Sequence, residues 1–258
     1  MRTSLSFNLN KIALIRNSRN TQIPSVIEAA QTAISAGANG ITVHPRPDMR
    51  HIRPEDVYEL SELLGREQYQ HIELNIEGNP YAGPHRNGFP GFIELVGQAA
   101  PEQCTLVPDT TTQLTSDHGW DLATNHDRLF PIVHRLQERN IRVSLFIDPK
   151  EEQVEMASKL GTDRVEFFTG PYASYYATAE RIKILNTFSR AAEFANFLTI
   201  GVNAGHDLNL ENLAEFCKAV TPIHEVSIGH AIIVDALWLG LEETIKRYLR
   251  ILDHLAPA

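Results

Sequence analysis

Cysteine is scarce: Cys104 and Cys217 are the only two in 258 residues. Each lies in an apolar stretch and neither belongs to a paired metal-ligand motif, so a thiolate metal site has no support and a reducing cytoplasm fits. Positive charge is the second shortage. Lys and Arg total 23 against 32 Asp and Glu, a formal net charge of −9. That argues against a nucleic-acid or anionic-membrane surface, both of which need a concentrated positive field. Any anion site must therefore be built locally. Long apolar runs are missing as well: no uncharged one reaches the roughly 18 residues of a membrane span. The opening MRTSLSFNLNKIALIR also lacks the charged, apolar, small-residue order of a signal peptide. The expectation is a cytoplasmic protein without nucleic-acid or membrane partners. Hydrophobic residues at 43% and charged ones at 21% suit a globular chain with a large core.

Short β-branched runs alternate with longer stretches of helical period, the pattern of βα units around a parallel sheet. Eight strand candidates stand out: 6–10, 40–44, 71–77, 104–108, 142–148, 164–169, 198–204 and 225–230. After the first, Pro24 suits an opening turn, Val26, Ala29, Ala30 and Ala33 share a helical face, and Gly37 can close the helix. After the seventh, Leu210, Leu213, Ala214 and Cys217 repeat that spacing behind a possible Asn209 cap. The last helix repeats it at Leu241, Ile245, Tyr248, Leu249 and Leu252. No linker-like composition divides the chain. The predicted fold is α/β, a (β/α)8 TIM barrel in one domain over residues 1–258, since such barrels run to about 250 residues around one core. The Gly- and Pro-rich segment 78–91 and the polar segment 109–121 are extended βα loops, each readable as a surface insertion or a lid.

In such a barrel the C-terminal strand ends share one pocket, so polar residues there carry most information. They are Asn8, Asn10, His44, Glu73, Glu77, Asp109, Asp148, Glu166, Asn203, His206 and His230. Imidazole gives and takes protons near neutral pH, and a buried carboxylate can be tuned towards a base. Glu73, Asn75 and Glu77 have the same parity; Glu77 lies at the strand's C-terminal end and Glu73 roughly 13 Å lower. The loops after strands seven and eight, where barrels often bind phosphate, read NAGHD and SIGHA, and Gly205 and Gly229 let backbone amides approach closely. A second cationic group follows strands one and two: Arg16, Arg19, Arg46, Arg50 and His51. Two anion sites at one mouth suit two phosphorylated substrates.

The segments FNLNKIALIRNSR, GITVHPRPDMRHI, LNIEG, LVPD, VSLFID, VNAGHDL and VSIGHAII, in this order along almost the whole chain, resemble the pyridoxine 5′-phosphate synthase family. The resemblance implies a cofactor-free barrel that condenses 3-amino-2-oxopropyl phosphate with 1-deoxy-D-xylulose 5-phosphate. It implies that His44 and Glu77 are acid–base residues and His206 a proton donor. Asn8, Arg19, Gly229 and His230 would hold the aminoketone phosphate; Arg46, His51 and Thr115 would contact the pentulose phosphate. Many members carry Asp-His where this chain has Asn10 and Lys11, a position implied to contact the sugar, and glycine is common where it has Asp207, beside the possible backbone contact Gly205. A homo-oligomer, an octamer, is also implied.

Three rival readings differ in chemistry. In a divalent-metal barrel His44, Glu77, Asp109, His206 and His230 would be ligands, although no compact motif such as H-E-x-x-H is present. In a Schiff-base aldolase Lys11 would be the nucleophile. A barrel that only binds a phosphorylated metabolite would need no such density of titratable strand ends.

Overall fold

The structure, a computed structural model, describes residues 2–19 and 21–255. Its strands are β1 (Ser4–Asn8), β2 (Gly40–Val43), β3 (Glu73–Gly78), β4 (Gln103–Leu106), β5 (Arg142–Ile147), β6 (Arg164–Phe167), β7 (Gly201–Ala204) and β8 (Glu225–Ile228). All pair in parallel with their sequence neighbours, and β8 pairs with β1, closing the barrel. The helices are α1 (Asn10–Asn17), α2 (Val26–Ser35), α3 (Pro54–Leu64), α4 (Phe92–Ala99), α5 (Leu122–Gln137), α6 (Glu151–Leu160), α7 (Gly170–Tyr175), α8 (Glu180–Phe197), α9 (Leu213–Ala219), α10 (His230–Leu239) and α11 (Leu241–Leu255). No helix among the described residues is long and apolar enough to cross a membrane.

Alternation along the strands separates two environments. Leu5, Phe7, Ile41, Val43, Leu74 and Ile76 are fully or almost fully buried in the apolar layer between sheet and helices. Their neighbours line the lumen, and here the barrel departs from the branched aliphatic filling usual in the fold. At mid-height Ser6 Oγ meets Thr42 Oγ1 at 2.7 Å, and Thr105 donates to Asn75 Oδ1 at 3.0 Å. Lower down, Gln103 Nε2 donates to Glu225 Oε1 at 3.1 Å, and Arg164 donates to Asn203 Oδ1 at 3.2 Å.

Several expected boundaries move. The first strand occupies Ser4–Asn8 rather than 6–10, because Leu9 turns into αR geometry and Asn8 Oδ1 accepts the Asn10 N–H at 3.0 Å. Asn10 thus opens a helix. The seventh strand loses its first three expected residues because Thr199, at φ 60°, closes off α8. Helix α2 has the expected buried face of Val26, Ala29, Ala30 and Ala33, with Ser25 as its cap. In α9 the buried pair is Leu213 and Phe216, while Ala214 faces solvent and Asn209 caps the preceding turn, accepting from Glu211 N at 2.9 Å. Helix α11 buries Ile245, Tyr248, Leu249 and Leu252.

Candidate active site

His44 just after β2, Glu77 near the end of β3 and Asp109 just after β4 come together at the barrel mouth. His44 Nε2 lies 3.3 Å from Asp109 Oδ2 and its Nδ1 lies 3.7 Å from Glu77 Oε2. All three side chains are buried. Asn8 Nδ2 donates to Glu77 Oε2 at 3.4 Å, and Asn10 Oδ1 accepts the His44 backbone N–H at 2.9 Å. Asn10 therefore positions the strand end that carries His44. Arg46 pairs with Asp109 and donates to the carbonyls of Thr110 and Gln113 at 3.1 and 3.0 Å. Burial alone would pull the His44 pKa down, but Asp109 and then Glu77 outweigh it and raise it to about 9. Burial would raise Asp109, yet His44 and Arg46 hold it below the usual carboxylate range.

Across the mouth, the backbone after β7 comes so close to β8 that a side chain on Gly205, at φ 155°, would overlap the Ser227 carbonyl. His206 follows, with Nε2 3.0 Å from Thr115 Oγ1 and Nδ1 3.0 Å from Asp207 Oδ2. Asp207 has φ 64°, a backbone geometry in which glycine costs least and Asp is better tolerated than most residues. The His206 contact holds its carboxyl below the usual range, and His230 and Lys11 add to that field. Lys11 is on the first turn of α1; Gly229 caps α10 and His230 is its first residue. Gly229 packs against Asn8, where a Cβ would sit 3.0 Å from the Asn8 Cβ. Behind His206, Phe168 packs edge-on at 5.4 Å between ring centroids, and the Thr169 hydroxyl donates to the His206 carbonyl. In sequence the only signal of either residue is its place at the end of the sixth strand candidate.

The two long loops cross this mouth. Thr115 reaches His206 from segment 109–121, whose carbonyls Arg46 and Arg50 grip. Segment 78–91 buries Phe89; Asn87 donates to the Pro47 carbonyl at 2.7 Å and Asn79 to the Asp109 carbonyl at 2.9 Å.

The expected cationic cluster divides. Arg16 is buried, with NH2 2.8 Å from Asp56 Oδ2, so it braces α1 against α3 rather than facing the mouth. Arg50 pairs with Asp48 at 2.6 Å. His51 is buried; its Nδ1 accepts the Ile52 N–H at 2.9 Å, and burial with nearby His44 and Arg46 lowers its pKa to about 3. Arg19 is exposed in the turn after α1.

Other strand-end candidates leave the site. Asp148 accepts the Gly119 N–H at 3.3 Å and meets Lys150, Asn203 belongs to the lower network, and Glu73 pairs with Arg142. Glu166 remains inside the lumen. It is buried, its Oε2 has no hydrogen-bond partner among the described residues, and burial with Glu77 and Glu225 pushes its pKa well above the carboxyl range. No three His, Cys, Asp or Glu side chains among the described residues converge to hold a metal ion.

The family model described as pyridoxal phosphate biosynthesis protein PdxJ matches residues 5–254. The chain belongs to this family. It is 50% identical over 252 residues to pyridoxine 5′-phosphate synthase of Xanthomonas campestris pv. campestris (strain B100), covering 98% of this chain and 97% of that protein. The Xylella fastidiosa (strain M23) enzyme of the same name is 48% identical over 257 residues, covering 100% and 97%. Among solved structures, 3-keto-L-gulonate-6-phosphate decarboxylase from Vibrio cholerae O1 biovar El Tor str. N16961 superposes with a TM-score of 0.65 at 12% identity, covering all of both chains. Phosphoribosyl anthranilate isomerase from Thermotoga maritima superposes at 0.59 and 11% identity, covering 98% of this chain and 100% of that one. At such identities these two neighbours speak for the TIM-barrel fold of this PdxJ-family chain and not for its chemistry.

Proposed function

We propose that this chain is a pyridoxine 5′-phosphate synthase, condensing 3-amino-2-oxopropyl phosphate with 1-deoxy-D-xylulose 5-phosphate and releasing inorganic phosphate and water. The observation that carries this reading, beside family membership, is a buried His44 set between two carboxylates in a mouth that also holds His206. Imine formation, dehydration, phosphate elimination and ring closure all need positioned acids and bases. His44 and Glu77 are the acid–base residues of one side, and His206, hydrogen-bonded to Thr115 and beside Asp207, is the proton donor of the other. Asn8, Arg19, Gly229 and His230 hold the aminoketone phosphate, with Gly205 and Asp207 shaping the adjoining turn. Arg46, His51 and Thr115 face the pentulose phosphate, with Asn10 and Lys11 beside it. The reaction draws on no cofactor, and the protein works in the cytoplasm as one barrel domain. A homo-oligomer is supported by the apolar side chains that α1 and α10 leave in solvent: Leu14, Ile15, Val234, Leu237 and Trp238, the last 85% exposed. The test is to mix the purified protein with both substrates. Equimolar pyridoxine 5′-phosphate and inorganic phosphate are expected; tight binding without product would reduce the chain to a metabolite-binding barrel.

A further inference from the structure

Asp109 has no part in the roles assigned so far, although it makes the nearer of the two carboxylate contacts to His44. Both ring nitrogens of His44 face carboxylate oxygens, Nε2 to Asp109 at 3.3 Å and Nδ1 to Glu77 at 3.7 Å. Two carboxylates at these distances from a buried imidazole favour its doubly protonated, charged form by their negative charge. We infer that Asp109 is a positioning residue that, with Glu77, holds His44 as an imidazolium in the free enzyme, so that His44 enters the reaction as a proton donor and Glu77 is the base of the pair. The inference rests on the acid–base roles proposed above and gives them a direction.

The surroundings fit this charge state. Arg46 grips the same Asp109 oxygen, and the Asn79 side chain holds the Asp109 backbone carbonyl at 2.9 Å, so the carboxylate is fixed from two sides. His44 and Arg46 then balance Glu77 and Asp109 in charge. His51, whose ring centroid is 6.3 Å from that of His44, stays neutral and adds no second imidazolium. From β6, Glu166 is buried nearby, and burial with Glu77 and Glu225 pushes its pKa well above the carboxyl range. Asn8 and Asn10, from β1 and α1, are uncharged. Of the two contacts, the one at Nε2 is the closer. The transferred proton therefore leaves Nδ1, on the Glu77 side, and the ring remains a neutral Nε2–H tautomer on Asp109. Glu77 takes a proton from substrate and can return one to Nδ1, which closes the proton balance.

The experiment is a histidine 15N NMR titration of the free wild-type protein, with His44→Gln used to assign the resonance, repeated on Asp109→Asn. In wild type His44 should carry both protons at neutral pH and lose one only near pH 9. In Asp109→Asn its midpoint should fall by about one to three pH units, the usual effect of removing a near opposite charge. The alkaline limb of kcat should move with it while KM changes little, and Asp109→Glu should restore the protonated ring. A neutral His44 in the wild-type protein at pH 7, or an unmoved midpoint in a folded Asp109→Asn, overturns the inference. Near-normal turnover by His44→Gln would instead sink the acid–base reading beneath it, whatever the titration shows.

Discussion

Glu73 and Glu77 lie on one face of β3, yet four residues of separation give them different work. Glu77 is buried at the mouth beside His44 and Asn8. Glu73 sits at the lower end, its side chain 40% exposed and paired with Arg142. Glu77→Gln keeps the shape and removes the proposed base, and it should abolish turnover with the thermal midpoint nearly unchanged. Glu73→Gln should keep kcat and cost only a small part of the stability, because a half-exposed ion pair is screened by solvent. Measuring kcat and midpoint for both variants decides; an active Glu77→Gln beside a folded, inactive Glu73→Gln would reverse the assignment. Parity puts both on one face and cannot choose between them; position along the strand, read from sequence, favours Glu77 for the mouth. The work of Arg46 was not, because its partners Asp109, Thr110 and Gln113 are about 65 positions away and meet it only when the loop after β4 folds across the mouth.

Among elements, strands were easier to read than their ends. The apolar, outward half of each strand alternates cleanly, but the lumen is polar down to Gln103, Asn203 and Glu225, so polarity alone could not mark where a strand stops and the site begins. Asn203 was misplaced for that reason. The glycines of the loops after β7 and β8 make those loops phosphate candidates from sequence, and the structure gives Gly205 a separate, steric reason in its close approach to Ser227. Gly205→Ala would set a Cβ inside the Ser227 carbonyl and also hold alanine at φ 155°. The two loops would have to separate, and we expect a loss of about 2 kcal/mol or more, at the upper end for single substitutions. The KM for the aminoketone phosphate should rise more than kcat falls. Denaturant unfolding and steady-state kinetics test this together; unchanged stability would mean that the β7 and β8 loops do not need their close approach.

At the scale of the whole molecule, the eight βα units and the order of the family motifs carried the barrel and the family into view from sequence. The cross-barrel contacts around His44, Asp109 and His206 did not appear there. The structure brings these groups together at one mouth, and the proposed function assigns them the proton transfers of a ring-closing condensation. The metal-barrel alternative is not favoured: His44 has both nitrogens on carboxylates and Asp109 is taken by Arg46. The most direct test is kcat for pyridoxine 5′-phosphate formation before and after exhaustive chelation of the folded protein. The same turnover is expected in both; loss of activity on chelation, restored by one added divalent metal, would overturn acid–base catalysis by the chain's own groups.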